Sequence, residues 1–202
     1  MATKGTVVVT GGLGYVGSRL CPHLLGLGWK VRALDLALYG ESGRVALEAS
    51  PRWPEWSERF RWIRGDIRDP AVLRDACRGA EAVIHLAAIS NDPPGEVDEV
   101  LTRQVNFDAI GLLLTIAKEQ GVGRFVNASS SSVFGIKTEA NVVESLEPEP
   151  ITHYSRYKML SEWLVIAAAS ERFTTVNIRP ATICGYSPRQ RFDLTGNKLT
   201  AD

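Results

Sequence analysis

The chain lacks a net charge, a disulfide framework and a long apolar run, and each absence removes a class of function. Twenty-three basic and 23 acidic residues cancel, so no overall field gathers nucleic acid or an anionic membrane surface, and any anionic ligand must be held locally. The three cysteines, Cys21, Cys77 and Cys184, are odd in number, widely spaced and set among apolar neighbours. That pattern implies buried thiols in a reducing compartment, with neither disulfides nor a metal site. No uninterrupted apolar stretch reaches the roughly 20 residues that cross a bilayer. The first residues, Met1 to Gly5, enter a strand pattern without the apolar core of a signal peptide. The expectation is a cytoplasmic protein without nucleic-acid or membrane partners. A length of 202 residues with 45% hydrophobic content suits one well-buried unit.

Short β-branched runs alternate with segments of helical period, the pattern of repeated β-α units on a parallel sheet. Strands are expected at 6–10, 30–34, 60–64, 82–86, 124–128 and 174–178. Helices are expected at about 15–27, near 70–77, at 97–120 and at about 152–170, with Gly28 and Gly121 closing the first and third. Residues 37–59 carry Trp53, Trp56, Pro51 and Pro54 without a clean period and read as a long connection with room for a short helix. Right-handed crossovers then favour a doubly wound α/β sheet of strand order 3-2-1-4-5-6, a Rossmann fold with its ligands at the carboxyl ends of the strands.

The run Thr10-Gly11-Gly12-Leu13-Gly14-Tyr15-Val16-Gly17 lies between the first strand and first helix. Glycines there permit a tight turn, a close approach of backbone N–H groups to a pyrophosphate and close helix-sheet packing, while the helix N-terminus faces the phosphates. Gly11, Gly14, Tyr15, Val16 and Gly17 are the candidate phosphate-binding residues. Asp35 ends the second strand, where a carboxylate accepts hydrogen bonds from ribose hydroxyls and repels a 2′-phosphate, so NAD is the expected cofactor. The alternative is a plain turn acid. Asp66, at the end of the third strand, has two readings as well, an adenine contact or a solvated turn residue.

Tyr154 and Lys158 stand four apart in a helical segment and so share one face. A free tyrosine, with a pKa near 10, is a poor base at neutral pH. A neighbouring ammonium and the positive nicotinamide ring favour its phenolate and make it a general acid/base. Ser129 to Ser132 follow the fifth strand on the same sheet edge, where one hydroxyl can hydrogen-bond a substrate oxygen, or the serines can cap their own turn. His85, His153 and Tyr157 read as packed or solvated side chains.

The glycine loop, Gly65-Asp66-Ile67-Arg68-Asp69, His85-Leu86-Ala87-Ala88, Val105-Asn106, the serines ending in Val133-Phe134-Gly135, Tyr154-x-x-x-Lys158 and Arg179-Pro180 occur in one order over about residues 6–189. Together they resemble the extended short-chain dehydrogenases/reductases, in the NAD-dependent nucleotide-sugar epimerase/dehydratase branch. The resemblance implies Ser130 as the catalytic serine, Tyr154 as acid/base, and Lys158 as the residue that binds the nicotinamide ribose and tunes the tyrosine. It further implies that Asp66, Ile67, Leu86, Ala87 and Ala88 line the cofactor groove and that Asn106 orders the site. The small-molecule substrate would be a nucleotide-linked sugar, and the chain a homodimer through helices 97–120 and 152–170. Dehydratases of the branch resemble one another in an acid just after the catalytic serine or threonine. Ser131 and Ser132 stand there, so epimerase or ketoreductase is the expectation. Phe134 replaces a frequent tyrosine. The family's substrate lobe follows the sixth strand, whereas this chain stops at Asp202. The expected division is therefore an NAD-binding domain at 1–189 and a remnant of the lobe, or a tail, at 190–202. An NAD-binding module or sensor with little catalysis is the second reading.

Overall fold

The computed structural model describes residues 4–90 and 98–199. Among them, six strands form one parallel sheet in the order β3-β2-β1-β4-β5-β6, as expected. The strands are β1 (Thr6–Thr10), β2 (Lys30–Asp35), β3 (Phe60–Arg64), β4 (Ala82–His85), β5 (Arg124–Ala128) and β6 (Thr174–Ile178). The order reverses between β1 and β4, leaving a crevice at their carboxyl ends.

Side chains alternate across each strand, and two cores result. On one face Val8, Val83 and Phe125 pack under α4 (Pro70–Cys77), α6 (Ala109–Glu119) and α7 (His153–Ala168). On the other, Val7, Val9, Val31 and Ala33 pack under α1 (Gly17–Gly26) and the 37–59 connection. That connection holds more order than its sequence suggested. It contains α2 (Ser42–Glu48), α3 (Trp53–Trp56) and a 3-10 turn, Ser57–Arg59. Buried Leu47 and Trp56 anchor it to the second core, and Arg44 bridges Glu41 and Glu48. Elements of four to seven residues are too short to display a period.

Local chemistry sets the helix ends. Asp69 caps α4 by accepting from the Ala71 and Val72 amides, with Pro70 as the first helical residue. Thr152 and Ser155 form a reciprocal capping box at the start of α7. Gly121 follows α6 at φ +76°, a left-handed turn that stops the helix.

The expected helix 97–120 is interrupted. Its first residue lies outside the described ones, as do the last three of the expected tail 190–202. The remainder runs from α5 (Glu99–Arg103) through a π turn, Gln104–Asp108, into α6. Glu99–Glu119 is long and apolar enough by length and composition to cross a membrane. Here Ile110, Leu113 and Ile116 are buried in the first core instead. The thiols divide as well. Cys21 and Cys77 are buried, but Cys184 is exposed, contrary to its apolar sequence context, because it lies on the loop beyond the edge strand β6.

The tail returns to the front of the molecule. Ser187 Oγ donates to the Tyr15 carbonyl and meets Ser18 Oγ, and the Tyr15 hydroxyl donates to the Gly185 carbonyl. Arg191 reaches Ser90, and α8 (Thr195–Leu199) places Asn197 against the Tyr15 hydroxyl.

Candidate functional site

The glycine loop leaves β1 in a conformation open to few residues. Gly11 has φ +69°, and its amide donates to the Leu34 carbonyl at 2.8 Å. A Cβ on Gly11 would sit 2.8 Å from the Ala87 amide nitrogen, and one on Gly17 would lie 2.2 Å from the Gly11 carbonyl oxygen. These two glycines let the loop pack between the start of α1 and the residues after β4. Gly14 differs, because a Cβ there would meet one atom only, the Gly11 oxygen at 3.2 Å. Its bareness leaves room on the outer side of the loop. No side chain caps α1, whose first turn carries no acid; the Ser18 and Arg19 amides bond the Gly14 and Val16 carbonyls, so an anion would meet the positive end of the helix and the amides that precede them. The glycine cradle and the uncapped helix fit a dinucleotide pyrophosphate.

Asp35 does more than its sequence position suggested. Its carboxylate accepts from the Leu13 amide at 2.9 Å and from the Ala37 amide at 2.8 Å, tying the glycine loop to the end of β2. Each oxygen retains a further lone pair for a ligand. Asp66 is paired with Arg68, whose hydrogen bonds hold its carboxyl below the usual range. Ile67 is buried in the first core, and Leu86 and Ala87 pack against opposite cores. Asn106, in the π turn, grips one residue from both ends: Ile89 N donates to its Oδ1 and its Nδ2 donates to Ile89 O, both at 2.9 Å. It thereby braces the loop that carries Ala87 and Ala88.

At the same edge, a row of polar side chains crosses the sheet in register: Thr10, His85, Asn127 and Asn177 on β1, β4, β5 and β6. His85 is fully buried, with Nδ1 2.7 Å from Thr10 Oγ1. Burial first, and the nearby Lys158 charge second, push its pKa down to about 3. A neutral, packed His85 matches the sequence reading. Asn127 donates to Asn177, which donates to the Glu162 carbonyl. Nothing in the sequence pattern marked Asn127 or Glu162.

The candidate catalytic residues lie along the same carboxyl edge, Ser130 just beyond β5 and Tyr154 and Lys158 on α7. Lys158 is buried, donates to the Ala128 carbonyl at 2.8 Å and lies 5.9 Å from the centre of the Tyr154 ring. Burial lowers its pKa to about 8, and Glu162 pulls the other way. Ser130 Oγ accepts from the Ser132 amide and hydroxyl, which leaves its own hydrogen to donate. Tyr157 and His153 turn away and contact Glu99.

Residues 7–201 match the NAD dependent epimerase/dehydratase family. The chain is similar to sterol demethylase protein B of Methylococcus capsulatus, with 34% identity over 89% of this chain and 52% of that one. It is similar to UDP-glucose 4-epimerase of Streptomyces lividans, with 30% identity over 83% and 48% of the two. Among solved structures, UDP-glucuronic acid 4-epimerase from Bacillus cereus in complex with NAD superposes with a TM-score of 0.81, at 29% identity, over 96% of this chain and 61% of that one. The chain thus spans about half the length of these curated relatives.

Three outcomes follow from the geometry. Gly17→Ala should cost more than about 2 kcal/mol of unfolding free energy, the scale of an overpacked site with backbone in the way. Gly14→Ala should leave stability within about 1 kcal/mol yet weaken NAD binding at least tenfold; urea titration and calorimetry read the two effects. His85 has a folded-state pKa near 3 against 6.5 when unfolded. Its contribution is therefore complete above pH 6.5 and is lost as pH falls towards 3, at about 1.4 kcal/mol per pH unit. In His85→Asn the slope of unfolding free energy against pH should drop by about one proton over that window.

Proposed function

The chain belongs to the NAD-dependent epimerase/dehydratase family, and on that premise we propose that it carries out NAD-dependent oxidation and reduction at a hydroxyl-bearing carbon of a nucleotide-linked sugar, as an epimerase or ketoreductase. The observation that carries this reading is that Lys158 sits buried beside Tyr154 and bonds the Ala128 carbonyl, two residues before Ser130, at the sheet edge that also holds the glycine loop. NAD, when bound, supplies the hydride acceptor and donor. Gly11, Gly14, Tyr15, Val16 and Gly17 would hold its pyrophosphate, Asp35 its adenosine ribose, and Asp66, Ile67, Leu86, Ala87, Ala88 and Asn106 the walls of its groove.

The chain's own residues handle the proton. Tyr154 takes it from the substrate hydroxyl as that carbon is oxidised and returns it on reduction. Lys158, fixed by the Ala128 carbonyl, stabilises the phenolate. Ser130 donates its remaining hydrogen to the substrate oxygen, where negative charge develops. The residues after Ser130 are Ser131 and Ser132, so no carboxylic acid stands there to protonate a leaving hydroxyl. This supports epimerisation or reduction over elimination. Residues 1–189 form the NAD-binding domain in this reading, and 190–202 begin the substrate lobe or a tail. A homodimer through the two long helices is supported by Val100, Trp163 and Ile166, which are 67%, 54% and 62% exposed.

The reading is tested by calorimetric titration with NAD+ and NADP+, then by turnover of UDP-linked hexoses, with epimerised products separated by chromatography and net reduction followed at the nicotinamide absorbance. NAD+ should bind at least tenfold more tightly, and Tyr154→Phe should lower turnover by about a hundredfold or more with NAD affinity within about twofold. NAD binding without turnover of any nucleotide-sugar would replace the enzyme by a binding module. Turnover of a hydroxysteroid alone would move the substrate to the class named in the sterol relative. Light scattering should give twice the mass of one chain, and a monomer would remove the dimer.

A further inference from the structure

Lys158 and Glu162 are one helical turn apart on α7 and both are 2% exposed. A buried anion needs hydrogen bonds as well as a counterion. Arg179, just beyond β6, supplies both through a fork: its Nε lies 3.0 and 3.1 Å from the two Glu162 oxygens, and its Nη2 lies 2.7 Å from Oε2. The guanidinium is fixed in turn by the Glu144 carbonyl at 3.2 Å and by the face of Phe134 at 4.7 Å. Lys158, Glu162 and Arg179 thus follow one another with alternating charge, the first two buried and beyond direct ion-pair contact, the third 19% exposed at the rim.

We propose that Glu162 is a positioning residue for Lys158: its carboxylate, held one helical turn away by the Arg179 fork, supplies the countercharge that keeps the lysine cationic in a site closed to water. The inference rests on the reading of Lys158 as the lysine that serves Tyr154.

The surrounding groups leave this role to Glu162. On α7 itself Tyr154 faces the ammonium as an aromatic ring. From β4 comes His85, neutral near pH 7. On α5, Glu99 is engaged by Tyr157 and His153. Asp108, at the end of the π turn, pairs with Arg103. Lys118 of α6 binds the Ala168 carbonyl at the far end of α7. The 3-10 turn Ser131–Phe134 carries no charged side chain. Coulombic attraction from Glu162 opposes the burial that lowers Lys158 to about 8. Without that attraction the ammonium would lose its proton within the working pH range, and the Tyr154 phenolate would lose its partner.

The test is a direct titration of Lys158 in the full 202-residue chain with isotope-labelled lysine, its resonance identified by Lys158→Arg. In the parent chain it should titrate near 8. Glu162→Gln, which keeps the shape and can still bond Arg179, should lower that midpoint by about one pH unit or more, a tenfold loss of proton affinity. Glu162→Asp retains the charge and should hold the midpoint within about half a unit. The alkaline limb of the kcat profile should move with the lysine. Should Glu162→Gln not fold, the double variant Glu162→Gln/Arg179→Met removes both charges without stranding either, and a smaller downward shift is expected because a cation is lost with the anion. An unchanged midpoint in the folded Gln variant, or in the double variant, would overturn the proposal. Because the titration needs neither substrate nor turnover, a failure of the enzymatic reading shows up separately, as a chain whose lysine responds to Glu162 but which transforms no nucleotide-sugar.

Discussion

An ammonium closed off from water is among the costlier things a fold can contain, and much of the carboxyl edge of this sheet is arranged to hold one. Lys158 reaches its place because a capping box starts α7 at a fixed residue and because β5 ends with the Ala128 carbonyl turned towards it. The neighbouring positions answer the same demand: His85 stays neutral, and Glu162 is clamped by Arg179. The polar row from Thr10 to Asn177 lies directly above the apolar row of Val8, Val83 and Phe125, two residues earlier on the same strands. One sheet face thus changes from hydrocarbon to hydrogen-bonding groups within a single repeat of the pleat, and the site begins at that change.

The sheet was legible because its strands carry β-branched runs separated by helical periods, and because right-handed crossovers leave few orders open. The strand bounds fell within a residue of those expected. The helices in 37–59 were not legible, since a four-residue helix such as Trp53–Trp56 is held by one buried indole and not by any repeating pattern. The π turn escaped for a related reason. Inserting one residue's worth of extra turn leaves the apolar spacing of the surrounding helix nearly intact, yet it is what aims Asn106 at Ile89.

At the site, spacing within one element carried the information and distance between elements did not. Tyr154 and Lys158 could be placed on one face from their four-residue separation alone. The Glu162–Arg179 fork joins side chains 17 apart on different elements, and the Asp35 bond to Leu13 joins the glycine loop to the next strand. Neither has a local signature. A strand-ending acid looks the same in sequence whether it binds a ribose, ties a loop or does both.

The contacts of Gly185, Ser187 and Asn197 with Tyr15 and Ser18 span 169 to 182 positions of chain. Loop closure over such a length is entropically slow. During synthesis these partners of the glycine loop emerge 169 to 182 residues after the positions they meet. The glycine loop is therefore begun by one segment and completed by another made long after it, so its first half must wait, unfinished, while the rest of the sheet is made.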